Sequence, residues 1–488
     1  MRICFLCDLH LSENTDTLQY DVLDWVLCDL MKKRPDCVAF VGDASCDGSD
    51  VAYAHLVRRM RQLRVPFLYI PGNSDLRSPL TREQIQSDAS PLYNSINGTV
   101  IFAVNDAEGT VSEAQLSALS AADEDSIVFM HHPPRSHNAE GVAGLLSWRA
   151  AHPQTMLFYG HLHRFFADGC EVSLPALDPD KSIGEPPCTV YYDTDTRQIE
   201  KSHYPVSVSW DMYSYFGISC YRVGEQISFA RERGLKYLEL RPSCIKAERD
   251  ALCSQIQKWR EGGGEHLSVH LPDVGYKEGE VFFEEGYDEL LEVVALLGAD
   301  RVTQHVPKVA LEQIQKSPAV LDEIALAVSQ KLNALPHAIT VGVENMHMTA
   351  TETAVHRRFG YTPEECLAFM KALRERCRHR VGINFDIGHA RNNAPFSQRY
   401  QISTWLSMLG EHIVGYHLHQ VTYEDGRFEN HMPLTHIYGS LISYASFFKY
   451  WEMGKIAKAP LIFEMRPEGA YEITLATFAA EKSKDREV

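Results

Sequence analysis

The chain has 488 residues, more than a single hydrophobic core usually organises, so two domains are expected. Apolar residues at 45% and charged residues at 23% exclude a disordered or fibrous chain. A formal net charge of −18 opposes non-specific binding to nucleic acid or an anionic membrane, which disfavours a DNA substrate unless a local basic groove offsets it. No apolar run approaches the roughly 20 residues that span a bilayer, and Asp8 interrupts any signal-peptide core. A cytoplasmic protein without membrane contact is the expectation. Only Cys4 and Cys7 have CxxC spacing, and they fall inside a buried-strand pattern, so they read as reduced core thiols.

From the N-terminus, Arg2 to His10 reads as a buried strand that stops at Asp8 and His10. Leu18, Val22, Trp25, Val26 and Leu30 recur at helical spacing, and Cys37-Val-Ala-Phe-Val-Gly-Asp43 is the next strand. A helical stretch to about Arg64 leads into Pro66-Phe-Leu-Tyr-Ile-Pro-Gly-Asn73-Ser-Asp75. This order implies parallel strands with ligands at their carboxyl ends. Asn97-Gly98 between apolar residues predicts a hairpin. Two further strands, from Ser126 and from Met156, end in imidazoles at His131-His132 and His161-Leu-His163, and Cys188 to His203 predicts a closing strand pair.

The set Asp8-Leu-His10, Gly42-Asp43, Gly72-Asn73-Ser-Asp75, His131 and Gly160-His161-Leu-His163 resembles the calcineurin-like metallophosphoesterase family. The resemblance implies an α/β fold, an αββα sandwich over residues 1–205, holding two divalent ions (Mn, Fe or Zn). It assigns Asp8, His10, Asp43 and His163 to one ion and Asp43, Asn73, His131 and His161 to the other, with Asp43 as the bridge. Asp43, Asn73 and His131 are the expected catalytic residues. His131 is preferred to His132 because the family's ligand precedes a proline-containing turn. Mixed oxygen and nitrogen ligands suit such ions, which clamp a phosphoryl group and activate water for in-line attack. Ser74 is a departure, because the family often has a histidine after Gly-Asn that helps protonate the leaving group. Serine is no acid near neutral pH, so good leaving groups, or an acid supplied elsewhere, are expected.

From residue 206 to 488 strand and helix alternate. Strands are predicted at Met212–Ser219, Tyr237–Arg241, His266–Leu271, Arg301–Val306, Ile339–Asn345, Val381–Asp386, Ile413–Leu418 and Pro460–Met465. Helical patterns such as Val223–Arg233, Tyr287–Leu297, Leu321–Leu332 and Pro363–Arg378 lie between them. Eight such units predict a (β/α)8 TIM barrel with its site at the carboxyl ends of the strands. There stand His270, His305, Glu344, Asp386, His417 and Glu464, with His389 one short turn beyond Asp386 and His431 expected in the loop after the seventh strand. Charged groups ending apolar strands are costly unless paired or metal-bound.

This half resembles the xylose-isomerase-like barrel superfamily, which holds sugar isomerases, epimerases and endonuclease IV. Glu344, Asp386, His417 and Glu464 match its shared one-metal set, with His419 second to His417. Val-His270-Leu-Pro, His305, Asp386-Ile-Gly-His389 and Glu429-Asn-His431 match the further ligands of a three-zinc endonuclease branch, with Glu in place of Asp at 429. The resemblance therefore implies one to three ions (Zn or Mn), with Glu344 and Glu464 catalytic. In the endonuclease branch Glu344 bridges two ions; in the isomerase branch Glu344 and Glu464 shuttle a proton beside a carbonyl.

The expected protein is a binuclear phosphodiesterase or phosphatase joined to a phosphoester-cleaving, endonuclease-IV-like barrel acting on DNA, a nucleotide or a small phosphodiester. The alternative is the same phosphoesterase joined to a sugar or sugar-phosphate isomerase or epimerase. A third reading makes one domain regulatory, with the Ser74 domain as the candidate. A small phosphoester or sugar phosphate is the expected partner, and the sequence specifies no oligomeric state.

Overall fold

A computed structural model describes residues 1–349, 351–424 and 427–484. The chain forms two compact units, one of Met1–Val206 with Ile437–Ser446 and one of Ser207–His436 with Phe447–Val488. Among the described residues no helix is long and apolar enough to cross a membrane.

In the first unit the apolar runs form two sheets. One has the strand order Ile199–His203, Cys188–Asp193, Arg2–Leu6, Cys37–Val41, Phe67–Ile70, and its last three strands are parallel. The other runs Tyr93–Ile96, Thr99–Val104, Ile127–Met130, Met156–Tyr159, Glu171–Ser173, Phe166–Asp168. Alternate residues of both sheets meet in one core, where the rings of Phe5 and Phe158 stack 3.9 Å apart among Ile3, Val41, Ile70 and Phe129. On the far side of the second sheet, Leu119, Leu145 and Trp148 from helices Glu113–Leu119 and Ala139–Ala151 pack on Val104, Met130 and Leu157. Helices Leu18–Lys33 and Asp50–Arg61 follow the first two strands. Cys4 and Cys7 are buried free thiols in this core.

The second unit is a closed barrel of eight parallel strands: Phe216–Cys220, Tyr237–Leu240, His266–His270, Arg301–His305, Thr340–Glu344, Arg380–Asp386, Ile413–Leu418 and Leu461–Phe463. Register sets His305 beside Glu344 and Asp386 beside His417, so neighbouring strands deliver their last side chains to one end. The first strand starts later than the Met212 expected from sequence, because Trp210–Tyr215 forms a 3-10 turn. Asp211 pins that turn, accepting from Ser209 Oγ at 2.6 Å and Trp451 Nε1 at 3.2 Å and pairing with Lys458. Two hairpins, Val274–Lys277 with Glu280–Phe283 and Gln420–Glu424 with Arg427–Met432, were not expected. The second carries His431 on a strand rather than in a loop, and the cross-strand pair Tyr423–Phe428, with rings 4.8 Å apart, supports it.

Candidate metal centres

Five of the sandwich residues singled out above adopt left-handed backbone angles: Asp8 (φ 52°), His10 (49°), Asp43 (56°), His161 (65°) and His163 (57°). Non-glycine residues enter this region at a cost of about 1–3 kcal/mol each, and such strain gathers at functional sites. The sharp turns at the strand ends aim all five side chains into one space. Gly42 (φ 87°) permits the turn at Asp43, since a Cβ there would overlap the His131 ring.

Asp8, His10, Asp43 and His163 present ligand atoms within 4.8 Å of one another. His10 Nε2 is 3.4 Å from His163 Nε2 and 3.7 Å from Asp43 Oδ2, and His163 Nε2 is 3.6 Å from Asp8 Oδ1. The other oxygen of Asp43, Oδ1, faces His131 Nε2 at 3.6 Å. Asn73 Oδ1 lies 3.2 Å from that nitrogen and 3.1 Å from His161 Nδ1. Thus one Asp43 oxygen faces each group. His131 Nδ1–H donates to Val41 O at 2.9 Å, which leaves Nε2 free to ligate. Asp8 Oδ1 is buried without a hydrogen-bond partner, a deficit that a cation would fill.

Burial alone would lower His131, but Asp43 and Asp8 outweigh it and lift the imidazole to about 9. Burial, then the nearby His131, takes His161 down to about 4, and burial with Lys181 takes His163 to about 3. Burial raises Asp8 to about 6. Such strongly perturbed neighbours mark the cluster as a candidate functional site.

Ser74 is wholly buried, with its N–H on Asp43 Oδ1 at 2.8 Å and its Oγ 3.3 Å from His10 Nδ1. Its buried hydroxyl contacts the ring of a candidate ligand. Asp75 accepts from Ala44, Ser45 and Gly72 N–H and from Tyr69 OH, which locks the Asp43 loop to the Asn73 loop. Sequence reasoning missed Asp106. It accepts from the N–H of His131 (2.7 Å) and His132 (2.8 Å) and from His137 Nε2 (2.9 Å), fixing the turn that aims His131. Asp106 follows the strand Thr99–Val104, so the same pattern of an apolar run ending in a carboxylate was present there.

In the barrel, four buried atoms without hydrogen-bond partners converge: Glu344 Oε1, Asp386 Oδ2, His417 Nδ1 and Glu464 Oε2. His417 Nδ1 is 3.2 Å from Glu344 Oε1, 3.8 Å from Asp386 Oδ2 and 2.8 Å from Glu464 Oε2. Metal–ligand bonds of about 2.0–2.2 Å give ligand–ligand spacings of this size. The second Glu344 oxygen, Oε2, faces His270 Nε2 at 3.1 Å, and His305 Nε2 lies 3.6 Å from Oε1. His305 Nδ1 is held by Asp273 Oδ1 at 2.5 Å, and burial, which opposes charge, is outweighed by Glu344 and Asp273, lifting His305 to about 10. A third cluster joins His389, His419 and His431, with ligand atoms within 4.8 Å. His389 Nδ1–H donates to Asn345 O at 3.0 Å. His419 Nδ1 accepts from His431 N–H at 3.0 Å, and its Nε2 meets Asp386 Oδ1 at 3.2 Å. His419 therefore stands beside Asp386, one layer above His417, and its ring lies where any Cβ on Gly388 would fall. Glu429 is exposed and outside this cluster.

Glu239 was not found from sequence. It is buried beneath His417, accepting from Thr303 Oγ1 (2.7 Å) and Ser268 Oγ (3.2 Å), with His417 Nε2 at 3.1 Å. Arg241 Nη1 pairs with Glu464 Oε1 at 3.0 Å, and Tyr221 OH donates to the same oxygen at 2.7 Å. Above the clusters opens a cleft of about 640 Å3, lined among others by Arg241, His305, His347, Phe428, His431 and Arg466.

A closed eight-stranded barrel with carboxylate and imidazole clusters at its carboxyl end, and a two-sheet sandwich with a carboxylate and imidazole cluster at its strand ends, define a two-domain α/β protein. The chain belongs to the xylose isomerase-like TIM barrel family over residues 227–481, and residues 1–165 match the calcineurin-like phosphoesterase family. A probable cyclic nucleotide phosphodiesterase of Fibrobacter succinogenes is 29% identical over 111 residues, 21% of this chain and 43% of that protein. A probable glycerophosphodiester phosphodiesterase of Arcobacter nitrofigilis is 29% identical over 122 residues, 21% of this chain and 44% of that protein. The chain thus spans less than half the length of these relatives. A solved D-tagatose 3-epimerase-like protein overlays with TM-score 0.39 and 17% identity, over 56% of this chain and 98% of its own.

Proposed function

We propose that residues 1–205 form a binuclear metal-dependent phosphodiesterase for small phosphodiesters, and that residues 206–488 form a multi-metal barrel that also cleaves phosphoesters. For the first domain the supporting observation is Asp43, whose two oxygens face two separate ligand groups. Asp8, His10 and His163 would hold one ion, and Asn73, His131 and His161 the other. The two relatives named for phosphodiester cleavage match this domain and favour a cyclic nucleotide or glycerophosphodiester-like substrate. Mn, Fe or Zn suits the mixed donors. When bound, such ions supply charge to the phosphoryl oxygens and activate water. The chain's own residues then set direction: Asp43 fixes the spacing of the two groups, and Ser74 orients His10.

For the barrel, the reading is carried by Glu344. A single-metal proton shuttle needs only the Glu344, Asp386, His417 and Glu464 group, whereas here His270 stands 3.1 Å from the second Glu344 oxygen and His305 3.6 Å from the first. Glu344 would therefore bridge two zinc or manganese sites, with His389 and His431 at a third. The isomerase or epimerase alternative retains one supporting observation, the four orphaned atoms that alone complete a one-metal site. Separate Asp43→Ala and Glu344→Ala variants test the assignment against cyclic nucleotides, glycerophosphodiesters, abasic-site DNA, ketoses and sugar phosphates. The proposal expects each variant to abolish one phosphoester activity and leave the other. Carbonyl isomerisation lost with Glu344→Ala would contradict the barrel assignment, and a wild type inert on every ester would favour a regulatory first domain.

A further inference from the structure

The hairpin Gln420–Glu424 with Arg427–Met432 borders the barrel cleft and presents an aromatic ring there. Phe428 lines the cleft and is 57% exposed. Its cross-strand partner Tyr423, with ring centroids 4.8 Å apart and planes tilted by 51°, is equally exposed, so the pairing leaves more than half of each residue uncovered. Covering an apolar ring is favourable in proportion to the area removed from water. The half-buried thioethers of Met346 and Met432 line the same cleft, and thioether sulfur makes favourable contacts with aromatic rings.

The polar groups of the cleft are few and stand close to this apolar wall. Asn430 is two residues beyond Phe428 and therefore on the same side of its strand. Its Oδ1 accepts from Asn392 Nδ2 at 3.1 Å, and its Nδ2 is 3.4 Å from His347 Nε2. A side-chain amide has two N–H donors and two lone pairs, so one of each remains beyond these contacts, a match for the edge of a nucleobase. Arg466 is exposed, lines the cleft and is tied to the hairpin by its backbone N–H on His431 O at 3.1 Å. A guanidinium fork suits a phosphate. The cleft volume of about 640 Å3 is that of a small-molecule site.

We propose that Phe428 stacks the base of a nucleoside phosphate bound in the barrel cleft with its phosphate toward the metal clusters. This rests on the phosphoester reading of the barrel and narrows its substrate to a nucleotide. Every base has a π-face, so stacking selects a nucleotide without selecting its base. The competing role is structural: Phe428 pairs with Tyr423 only to hold the hairpin that carries His431.

The test uses the zinc-loaded full chain with the sandwich silenced by Asp43→Ala. It is titrated calorimetrically with adenosine monophosphate and with ribose phosphate, which differ only in the base. The nucleotide is expected to bind about tenfold or more tightly than the sugar phosphate. Phe428→Ala is expected to remove that advantage, with ribose phosphate affinity, zinc content and melting temperature unchanged, and Phe428→Trp to retain it. Equal affinities in the parent, or a nucleotide affinity that Phe428→Ala leaves unchanged, would overturn the proposal. So would loss of zinc or of melting temperature in both variants, which assigns the ring to the hairpin alone. A parent that binds neither phosphate would instead overturn the phosphoester reading of the barrel, and this proposal with it.

Discussion

His417 Nε2 lies 3.1 Å from Glu239 Oε1 inside the barrel, so Glu239 stands behind the ring that faces Glu344, Asp386 and Glu464. The opposite ring nitrogen, Nδ1, lies 3.2 Å from Glu344 Oε1, 3.8 Å from Asp386 Oδ2 and 2.8 Å from Glu464 Oε2. Carboxylates placed behind a ligating imidazole typically strengthen metal affinity about 10–100-fold. Glu239→Gln keeps the shape and removes the charge. The barrel should then bind metal more weakly by that order, measured by competition with a chelator, while the sandwich sites are unaffected.

Gly42→Ala should damage the sandwich site without touching a ligand. Its φ of 87° strains any L-residue, and the added methyl collides with His131. The expected cost is about 1–3 kcal/mol in the unfolding free energy, accompanied by loss of metal. Denaturant melts with and without Mn would show the sandwich's share of the metal-dependent stabilisation vanish while the barrel's remains.

Metal uptake should release protons near neutral pH. His131 and His305 are held at about 9 and about 10 in the metal-free chain, against an ordinary value near 6.5, so both are protonated at pH 7.5 and must lose that proton to ligate. Because both folded values are raised, their contribution to metal-free stability is full below about pH 6.5 and is lost as pH rises through 9 to 10. The metal-free protein should therefore lose melting temperature between pH 7 and 10 more steeply than the loaded protein. Titrations in buffers of different ionisation enthalpy would count the released protons.

Turnover by the sandwich domain should depend steeply on the leaving group. Ser74 is buried against His10 and supplies no acid, so aryl diesters should be cleaved far faster than alkyl diesters. A flat dependence of kcat on leaving-group pKa would mean that another residue protonates the leaving oxygen.

Much of the fold was legible because both halves are built from apolar runs that end abruptly in a carboxylate or imidazole. That pattern marks a strand and its functional end together, as at Val41-Gly-Asp43 and Ile383-Asn-Phe-Asp386. Glu239 was missed because Tyr237-Leu-Glu-Leu buries a carboxylate in mid-strand, where its partners Thr303, Ser268 and His417 come from strands distant in sequence. Asp106 was missed for a different reason: although it follows an apolar run, its partners are the backbone N–H groups of His131 and His132 and the His137 ring, all distant in sequence. The hairpin carrying His431 was read as loop because Arg427-Phe-Glu-Asn-His-Met lacks an apolar face, and pairing with Gln420–Glu424 decides its structure instead. His417 lies on the seventh strand and His419 just past its end, two residues on, so spacing alone could not separate the residue facing Glu344 and Glu464 from the one beside Asp386 and His431.

The most direct test is the metal content of the full chain carrying Asp8→Ala and Asp43→Ala, so that only the barrel binds. After zinc loading and dialysis, elemental analysis should find about three ions per chain, falling by about one when His270 and His305 are also replaced by alanine. A content of about one ion, unchanged by the His270 and His305 replacements, would contradict the multi-metal barrel and leave the single-metal isomerase chemistry of Glu344 and Glu464 in its place.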